Sequence, residues 1–199
     1  MIIKVSDKKL EGILSLFLPK VIVLADCDIV CNFAIQFLSS FLVKITLLLV
    51  GKTTENYLNI SIDEYLKRIR RYISFEVVAL SELKNAKNMP LGQQKEKEGI
   101  SILNAIGLSD EVILLDEKGE EYSSVDFAGM LDKKQNSSIK HLVFVVGGPY
   151  GFSPAVYARA NGQLSLSRMT FSHQMIRLLF VEQVYRAMTI LRGESYHHE

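Results

Sequence analysis

Residues 142–151 read LVFVVGGPYG, five apolar residues followed at once by a loop that holds three glycines and a proline. An apolar run of this length that is rich in valine predicts a strand buried on both faces, as in a parallel sheet. Glycines after such a strand let a ligand approach the backbone, although a tight turn without any ligand has the same composition. The stretch therefore predicts a parallel sheet with a candidate binding loop at one strand end.

Strands and helices alternate from residue 45 onwards. Apolar or β-branched runs predict strands over 45–50, 75–80, 111–115, 142–146 and 164–167. Apolar residues at helical spacing predict helices over 57–73, 93–106, 153–159 and 173–191, the last ended by Gly193, and a short helix opened by Ser123 and Asp126. This order predicts a three-layer α/β domain with a mostly parallel sheet, whose ligands bind after Leu115 and Val146.

The loop after residue 146 does not match two common nucleotide-binding fingerprints. A dinucleotide-binding G-x-G-x-x-G would need its second glycine at Pro149, which has no N–H to offer a pyrophosphate. A P-loop would need Gly-Lys-Ser/Thr, which does not follow. Cys27 and Cys31 are too few and too close for a disulfide framework, so we expect buried thiols, a cytoplasmic protein and no metal site.

The overall charge is close to neutral, with 23 Lys and Arg against 22 Asp and Glu among 199 residues. Bulk charge therefore does not indicate a nucleic-acid-binding protein. Residues 140–199 differ, because they carry six basic residues, three acidic residues and all four histidines. That cluster suits phosphate binding; alternatively Arg177, Arg186 and Arg192 form the solvated face of the last helix, with Glu182 and Arg186 paired.

The first part of the chain contains an uncharged run over 29–43, and after Lys44 the apolar run resumes to Val50. The run is shorter than the roughly 20 residues that cross a bilayer, so buried elements are favoured over a membrane-anchored nucleotide-binding module. A secretory signal is not indicated, since Asp26 and Asp28 stand where its positive region should be.

The second part of the chain resembles a known family. The stretch 144–199 combines GGPYG, LSLSRMTF, His173, EQVYRA and a Tyr-His terminus, and VKITLLLVGK, KEKEG and LDEKGEEYSS extend the likeness over 43–199. Together these motifs are similar to the RlmH family of SPOUT-class methyltransferases. The resemblance implies a parallel-sheet SPOUT fold with a C-terminal trefoil knot, a homodimer, and S-adenosylmethionine as methyl donor. It also implies methylation of N3 of a pseudouridine in large-subunit (23S) ribosomal RNA of the assembled ribosome.

The family's site residues carry over onto the positions that match its motifs. The implied adenosylmethionine site comprises Leu115, Gly147, Leu166, Ser167, Arg168, Met169, Thr170 and Phe171. Tyr196 and His198 match tail positions implicated in catalysis at the partner subunit's RNA site, and His198 or His197 would accept the N3 proton. Two positions depart from the pattern, because His198 stands where Arg or Lys is common and Ser172 where Pro is usual.

The likeness starts at Val43, where relatives begin with Met, so residues 1–42 are expected to be an N-terminal extension of a methyltransferase domain over 43–199. The extension is expected to be dispensable, and a start codon assigned too far upstream would account for it. Two functions from different classes follow. One is the methyltransferase, and the other is a non-catalytic RNA-binding or ribosome-assembly protein that retains the knotted fold; no membrane partner is expected.

Overall fold

The computed structural model describes residues 43–83 and 89–196, in which strands and helices alternate along the chain. The strands are β1 (Lys44–Val50), β2 (Ser74–Leu80), β3 (Glu111–Glu121), β4 (His141–Val146) and β5 (Gly162–Ser165). The helices are α1 (Asn56–Ile69), α2 (Leu91–Ala105), α3 (Ser124–Gln135), α4 (Pro154–Arg159) and α5 (Met175–Arg192). Residues 1–42, with both cysteines and the expectations for the extension, lie outside the described residues.

The five strands form one sheet in the order β2-β1-β4-β3-β5, and every neighbouring pair is parallel. β1 and β4 lie side by side within it, with Leu47 opposite Phe144, and both strands are almost fully buried. Continuous apolar runs are what a strand covered by helices on both faces requires. The predicted parallel α/β sheet is therefore confirmed.

Two apolar cores cover the two faces of the sheet. On one face Phe144 packs among residues of α1, α3 and α5, and its ring centroid lies 4.7 Å from that of Phe180 in α5. On the other face Val145 packs with Ile102 of α2 and Val156 of α4. Alternate residues of a strand point to opposite faces, so neighbours in β4 enter different cores. The three layers match the prediction.

β3 is longer than the sequence predicts. After Leu115 four residues leave the pairing with β5, and the strand then resumes, so that Leu164 pairs with both Leu115 and Glu120. We call residues 116–119 the β3 bulge. Gly119 permits it, because a Cβ at this position would lie 2.5 Å from the backbone N of Leu164. The sequence did not predict that β3 continues beyond Leu115, because the bulge contains charged residues and strand prediction relies on apolar patterns.

The predicted ends of other elements shift by a few residues. α1 ends at Ile69, where a turn closed by the Tyr72 N–H and the Ile69 carbonyl precedes β2. β5 covers Gly162–Ser165 in place of 164–167, and α5 begins at Met175 in place of 173.

Two predicted helix ends are confirmed. The Ser123 Oγ accepts the Asp126 N–H at 3.1 Å and so caps α3, while the Asp126 carboxylate accepts a bond from the Ser123 hydroxyl at 2.6 Å, where a capping box would use the Ser123 backbone N–H. At the C-terminus of α5, Gly193 has a φ of 67°, a left-handed conformation that glycine adopts without strain.

The stretch that suggested a membrane anchor includes β1, which pairs with a strand on each side. Over residues 43–83 and 89–196, no helix combines the length and the apolar character that a bilayer crossing requires. The remainder of that stretch, residues 29–42, lies outside the described residues.

Candidate functional site

A cavity of about 540 Å³ opens at the carboxyl ends of β4 and β5 and at the β3 bulge. Ligands of parallel α/β sheets bind at this edge, and the volume is within the range of small-molecule sites. Both loops singled out in the sequence, after Leu115 and after Val146, line the cavity. Its walls are the β3 bulge, the loop 147–152 and the segment 164–173, with Lys95, Tyr157 and Ile176 completing them.

Seven of the eight residues that the resemblance assigns to the cofactor line this cavity. They are Leu115, Gly147, Leu166, Ser167, Met169, Thr170 and Phe171. Arg168 is the eighth, and its side chain is 90% exposed, with Nε donating to the Glu121 carboxylate at 3.2 Å. The structure thus brings together segments more than fifty residues apart in the chain, as the motifs predict.

Short-range hydrogen bonds shape the segment after β5. The Ser165 hydroxyl donates to the Ser167 carbonyl at 3.0 Å, and the Ser167 hydroxyl accepts the Met169 N–H at 2.9 Å. Serine side chains commonly form such bonds in turns, where they replace backbone partners. At the end of the segment the Ser172 Oγ accepts the Met175 N–H at 3.2 Å, so this residue binds the first residue of α5.

The glycines of the loop 147–151 are held by close neighbours. A Cβ at Gly147 would lie 3.0 Å from the Phe152 ring, and one at Gly148 would lie 2.5 Å from Oε2 of Glu98. Glu98 is a buried residue of α2, and its other oxygen accepts a hydrogen bond from Gln94 at 2.8 Å. The loop therefore lies against α2 on one side and faces the cavity on the other.

The Asp116 carboxylate lines the cavity at the start of the β3 bulge and accepts hydrogen bonds from two donors. Oδ2 of Asp116 accepts the Tyr157 hydroxyl at 2.6 Å, and Oδ1 accepts the Lys118 N–H at 2.9 Å. Burial and the hydrogen bond to Asp116 raise the pKa of Tyr157 to about 12. The phenol therefore stays protonated near neutral pH and keeps donating to the carboxylate.

Arg177 is fully buried, which corrects the expectation that it belongs to a solvated helix face. Its guanidinium donates to the Val50 carbonyl at 2.9 Å and to the Thr53 hydroxyl at 3.0 Å. Burial lowers the pKa of Arg177 below its usual range. This side chain therefore ties the start of α5 to the loop after β1. The predicted pair of Glu182 and Arg186 is confirmed, with a shortest separation of 2.6 Å.

His173 lies on the cavity wall just before α5. Burial first, and then the positive charge of Arg177, lower the pKa of His173, while Glu82 and Glu98 oppose the shift. The sequence predicted only a helix-start residue here. Its place in the cavity depends on the way α5 packs, which no local pattern reveals.

Tyr196 lies beyond the opposite end of α5. Its hydroxyl donates to the Glu182 carboxylate at 3.1 Å, and its ring meets that of Tyr185 with a centroid separation of 4.8 Å. Burial is the main cause that raises the pKa of Tyr196. Glu182 and Tyr185 lie within α5, so the chain folds back along the helix after Gly193, and Tyr196 is not part of the cavity wall. His197 and His198, the candidate proton acceptors, lie outside the described residues.

Sequence reasoning missed the cavity residues Asp116, Tyr157 and Lys95. For Asp116 a signal was present, because an acidic residue directly follows a predicted strand whose end was expected to bind ligands. Tyr157 had none, since its partner Asp116 is 41 residues away in the chain.

The sequence matches one family model and is similar to several known proteins. Residues 43–197 match the family model described as predicted SPOUT methyltransferase. Over 156 residues the chain is 56% identical to a protein of Parabacteroides distasonis, 54% to one of Bacteroides thetaiotaomicron and 53% to one of Flavobacterium johnsoniae. Each of these relatives is named ribosomal RNA large subunit methyltransferase H, and each match covers 78% of this chain and 99% of the relative.

Proposed function

The chain belongs to the RlmH group of the SPOUT methyltransferase family, and we propose that it methylates N3 of a pseudouridine in large-subunit (23S) ribosomal RNA, with S-adenosylmethionine as the methyl donor. The observation that supports this function most is the cavity at the β3 bulge and the carboxyl ends of β4 and β5, lined by seven of the eight residues that the family motifs assign to the cofactor. Relatives with more than half of their residues identical are named for methylation of ribosomal RNA.

The residues of the cavity suit adenosylmethionine chemically. Leu115 and Leu166 offer apolar side chains for the adenine, and the backbone of the loop after β4 approaches closely because Gly147 has no side chain. Leu115, Gly147 and the segment 166–171 would hold the cofactor, which supplies a methyl group already activated by its sulfonium charge. Arg168 belongs to this set through its place in the motif, while its guanidinium bonds Glu121.

The protein's own part in the reaction is to hold the RNA base and to manage one proton. N3 of pseudouridine carries a hydrogen that must leave when the new bond to carbon forms. The tail beyond Gly193 supplies the groups for this step, with Tyr196 at the RNA site and His198 or His197 as the proton acceptor. Orientation of N3 toward the methyl group is the larger contribution, since aligned reactants avoid much of the entropic cost.

The tail would act on a second copy of the chain. Tyr196 packs against Glu182 and Tyr185 of its own α5 and is not part of the cavity wall, so the described part of one chain does not bring this tyrosine into its own cavity. A homodimer in which each tail reaches the partner subunit's cavity would complete both sites.

We also propose the bounds of the domain, its knot and the location of the protein in the cell. Residues 43–199 form the methyltransferase domain, with a C-terminal trefoil knot that the family fold implies, and residues 1–42 are a dispensable extension. The parallel sheet order supports the fold, and the family match over 43–197 supports the domain bounds. A ribosomal substrate would place the protein in the cytoplasm.

Methyl transfer to defined ribosomes tests the function. The protein is incubated with labelled S-adenosylmethionine and with ribosomes that lack either the N3 methyl group or the pseudouridine itself. We expect label to enter the large-subunit RNA of the first ribosomes and not of the second. Label in neither, with the cofactor bound, would favour the non-catalytic RNA-binding protein.

A further inference from the structure

We propose that Asp116 binds the ribose hydroxyls of the nucleoside that occupies the cavity, and that Tyr157 positions its carboxylate. The inference rests on the proposed function, because it takes an adenosine-containing cofactor as the occupant. It adds two residues to a site that the family motifs assign to Leu115, Gly147 and the segment 166–171.

The Asp116 carboxylate is held by donors from two separate elements. Tyr157 in α4 donates to Oδ2 at 2.6 Å, and the Lys118 N–H in the β3 bulge donates to Oδ1 at 2.9 Å. Two such bonds fix the plane of the carboxylate on the cavity wall. Each oxygen of an ionised carboxylate has two acceptor positions, so one position on each oxygen remains for a ligand.

Two adjacent acceptors suit two adjacent hydroxyl groups. Ribose carries such a pair at its 2′ and 3′ positions, and hydrogen bonds from hydroxyls to a carboxylate are short and strong. Dinucleotide-binding α/β domains use an acidic residue for the same ribose chemistry near the carboxyl edge of their sheet. Leu115 and Leu166 lie in the same cavity and provide the apolar surface that a base requires. The wall thus offers both halves of a nucleoside site.

Asp116 lies where β3 reaches the cavity edge of the sheet. Leu115 packs against the core of one face, while Asp116 bonds Tyr157, which packs against the core of the other face, so the two residues alternate as in a regular strand. The β3 bulge begins at Asp116, and pairing with β5 resumes at Glu120. Bulges are common beside active sites.

Calorimetry with S-adenosylhomocysteine and its 2′-deoxyribose analogue tests the inference. We expect the wild type to prefer the ribose form, and Asp116→Asn to weaken that form by about tenfold to a hundredfold while the analogue changes far less. Loss of the preference is the decisive readout, since a purely structural role would weaken both ligands equally. Thermal unfolding of each variant verifies that it folds.

A second carboxylate and tyrosine pair in the same strand provides matched controls. The Tyr122 hydroxyl donates to the Glu120 carboxylate at 2.5 Å, and both residues are absent from the cavity wall. Glu120→Gln and Tyr122→Phe should keep both the affinity and the ribose preference. Tyr157→Phe should keep the ring contact with Phe152 and lose only the hydroxyl donor. Tyr157→Phe should therefore lower the ribose preference by about threefold to tenfold. If Asp116→Asn fails to fold, this variant alone tests whether Asp116 binds the ribose hydroxyls.

Two results would overturn the inference. The first is an unchanged ribose preference in Asp116→Asn or, should that variant not fold, in Tyr157→Phe. The second is a loss seen with S-adenosylhomocysteine but not with 5′-methylthioadenosine, which has the ribose and lacks the amino acid. In that case the carboxylate binds the ammonium group. If the wild type binds neither adenosylmethionine nor adenosylhomocysteine, the proposed function fails and this inference falls with it.

Discussion

At position 147, close packing of neighbouring side chains favours glycine as much as a ligand in the cavity would. A Cβ there would lie 3.0 Å from the Phe152 ring, which is itself buried and meets Tyr157 edge-on at 5.8 Å. The ring therefore has little room to move on the side away from the cavity, because it is packed against Tyr157 and the surrounding core. A side chain at residue 147 would extend into the cavity or displace this wall.

We expect Gly147→Arg to lose detectable binding of S-adenosylmethionine by calorimetry. The fold should survive, because Gly147 has no positive φ and lies at the rim of a cavity. Gly129→Arg in α3 is the matched control, since nothing lies within 4 Å of its Cβ position, and it should bind the cofactor normally. Unchanged affinity in Gly147→Arg would show that the loop does not contact the cofactor.

His173 makes stability depend on pH in a defined direction. Burial and Arg177 hold its pKa below the ordinary value of 6.5, so the unfolded chain takes up this proton first as the pH falls. Its contribution to the free energy of unfolding is complete above about pH 6.5 and is lost as the pH falls toward the lower, folded pKa. Urea denaturation between about pH 7.5 and 5 should show a smaller decline for His173→Gln than for the wild type. Parallel curves for the two proteins would contradict this.

At the scale of elements, the β3 bulge and α5 organise the site. Asp116, Glu117 and Lys118 of the bulge line the cavity, and the pairing of β3 with β5 resumes after it. α5 reaches the cavity through Ile176 and is tied to the loop after β1 by Arg177 and by Gln174, which accepts the Thr54 N–H at 3.1 Å. The β3 bulge and the loop after β1 are thus each held by contacts with a distant part of the chain.

Gly119→Ala tests the β3 bulge. Its Cβ would lie 2.5 Å from the backbone of Leu164, a contact that requires the β3 and β5 backbones to separate. We expect a loss of about 1–3 kcal/mol in the free energy of unfolding and weaker cofactor binding. Gly92→Ala in the first turn of α2 has open space around its Cβ, so it should leave cofactor binding unchanged and should not lower the free energy of unfolding, since alanine favours a helix more than glycine does. Equal stability of the two variants would mean that the close approach at Gly119 relaxes without cost.

At the scale of the whole molecule, the proposed dimer depends on where the tail packs. The cavity lies beside the start of α5, and Tyr196 packs against the helix at Glu182 and Tyr185 without lining the cavity. Around Tyr196, Tyr65 and Tyr185 form an aromatic cluster, and the Arg186 guanidinium lies 4.8 Å from the Tyr196 ring centroid. The tail is thus anchored on its own chain up to this tyrosine, and the proposed histidines follow it.

Deletion of residues 196–199 should abolish methyl transfer and leave cofactor binding and dimerisation intact. The deleted residues follow the Gly193 stop, and Tyr196, the one of them that the structure describes, is not part of the apolar core. Mixing this variant with Gly147→Arg should restore about a quarter of wild-type activity, because half of randomly exchanged dimers would hold one intact cavity facing one intact tail. Light scattering checks the dimers. No recovery on mixing would place the tail's action within its own chain, and full activity of the deletion alone would make the tail dispensable.

The sequence by itself determined the parallel sheet, the order of its elements, the cap at Ser123 and the helix stop at Gly193, because periodicity and turn chemistry are local properties. Its motifs also identified the family. The tertiary structure decided the rest. Burial of Arg177, the continuation of β3 through its bulge and the meeting of Asp116 with Tyr157 each join segments far apart in the chain. The energy of such contacts exists only once the layers have packed, so no local pattern records them.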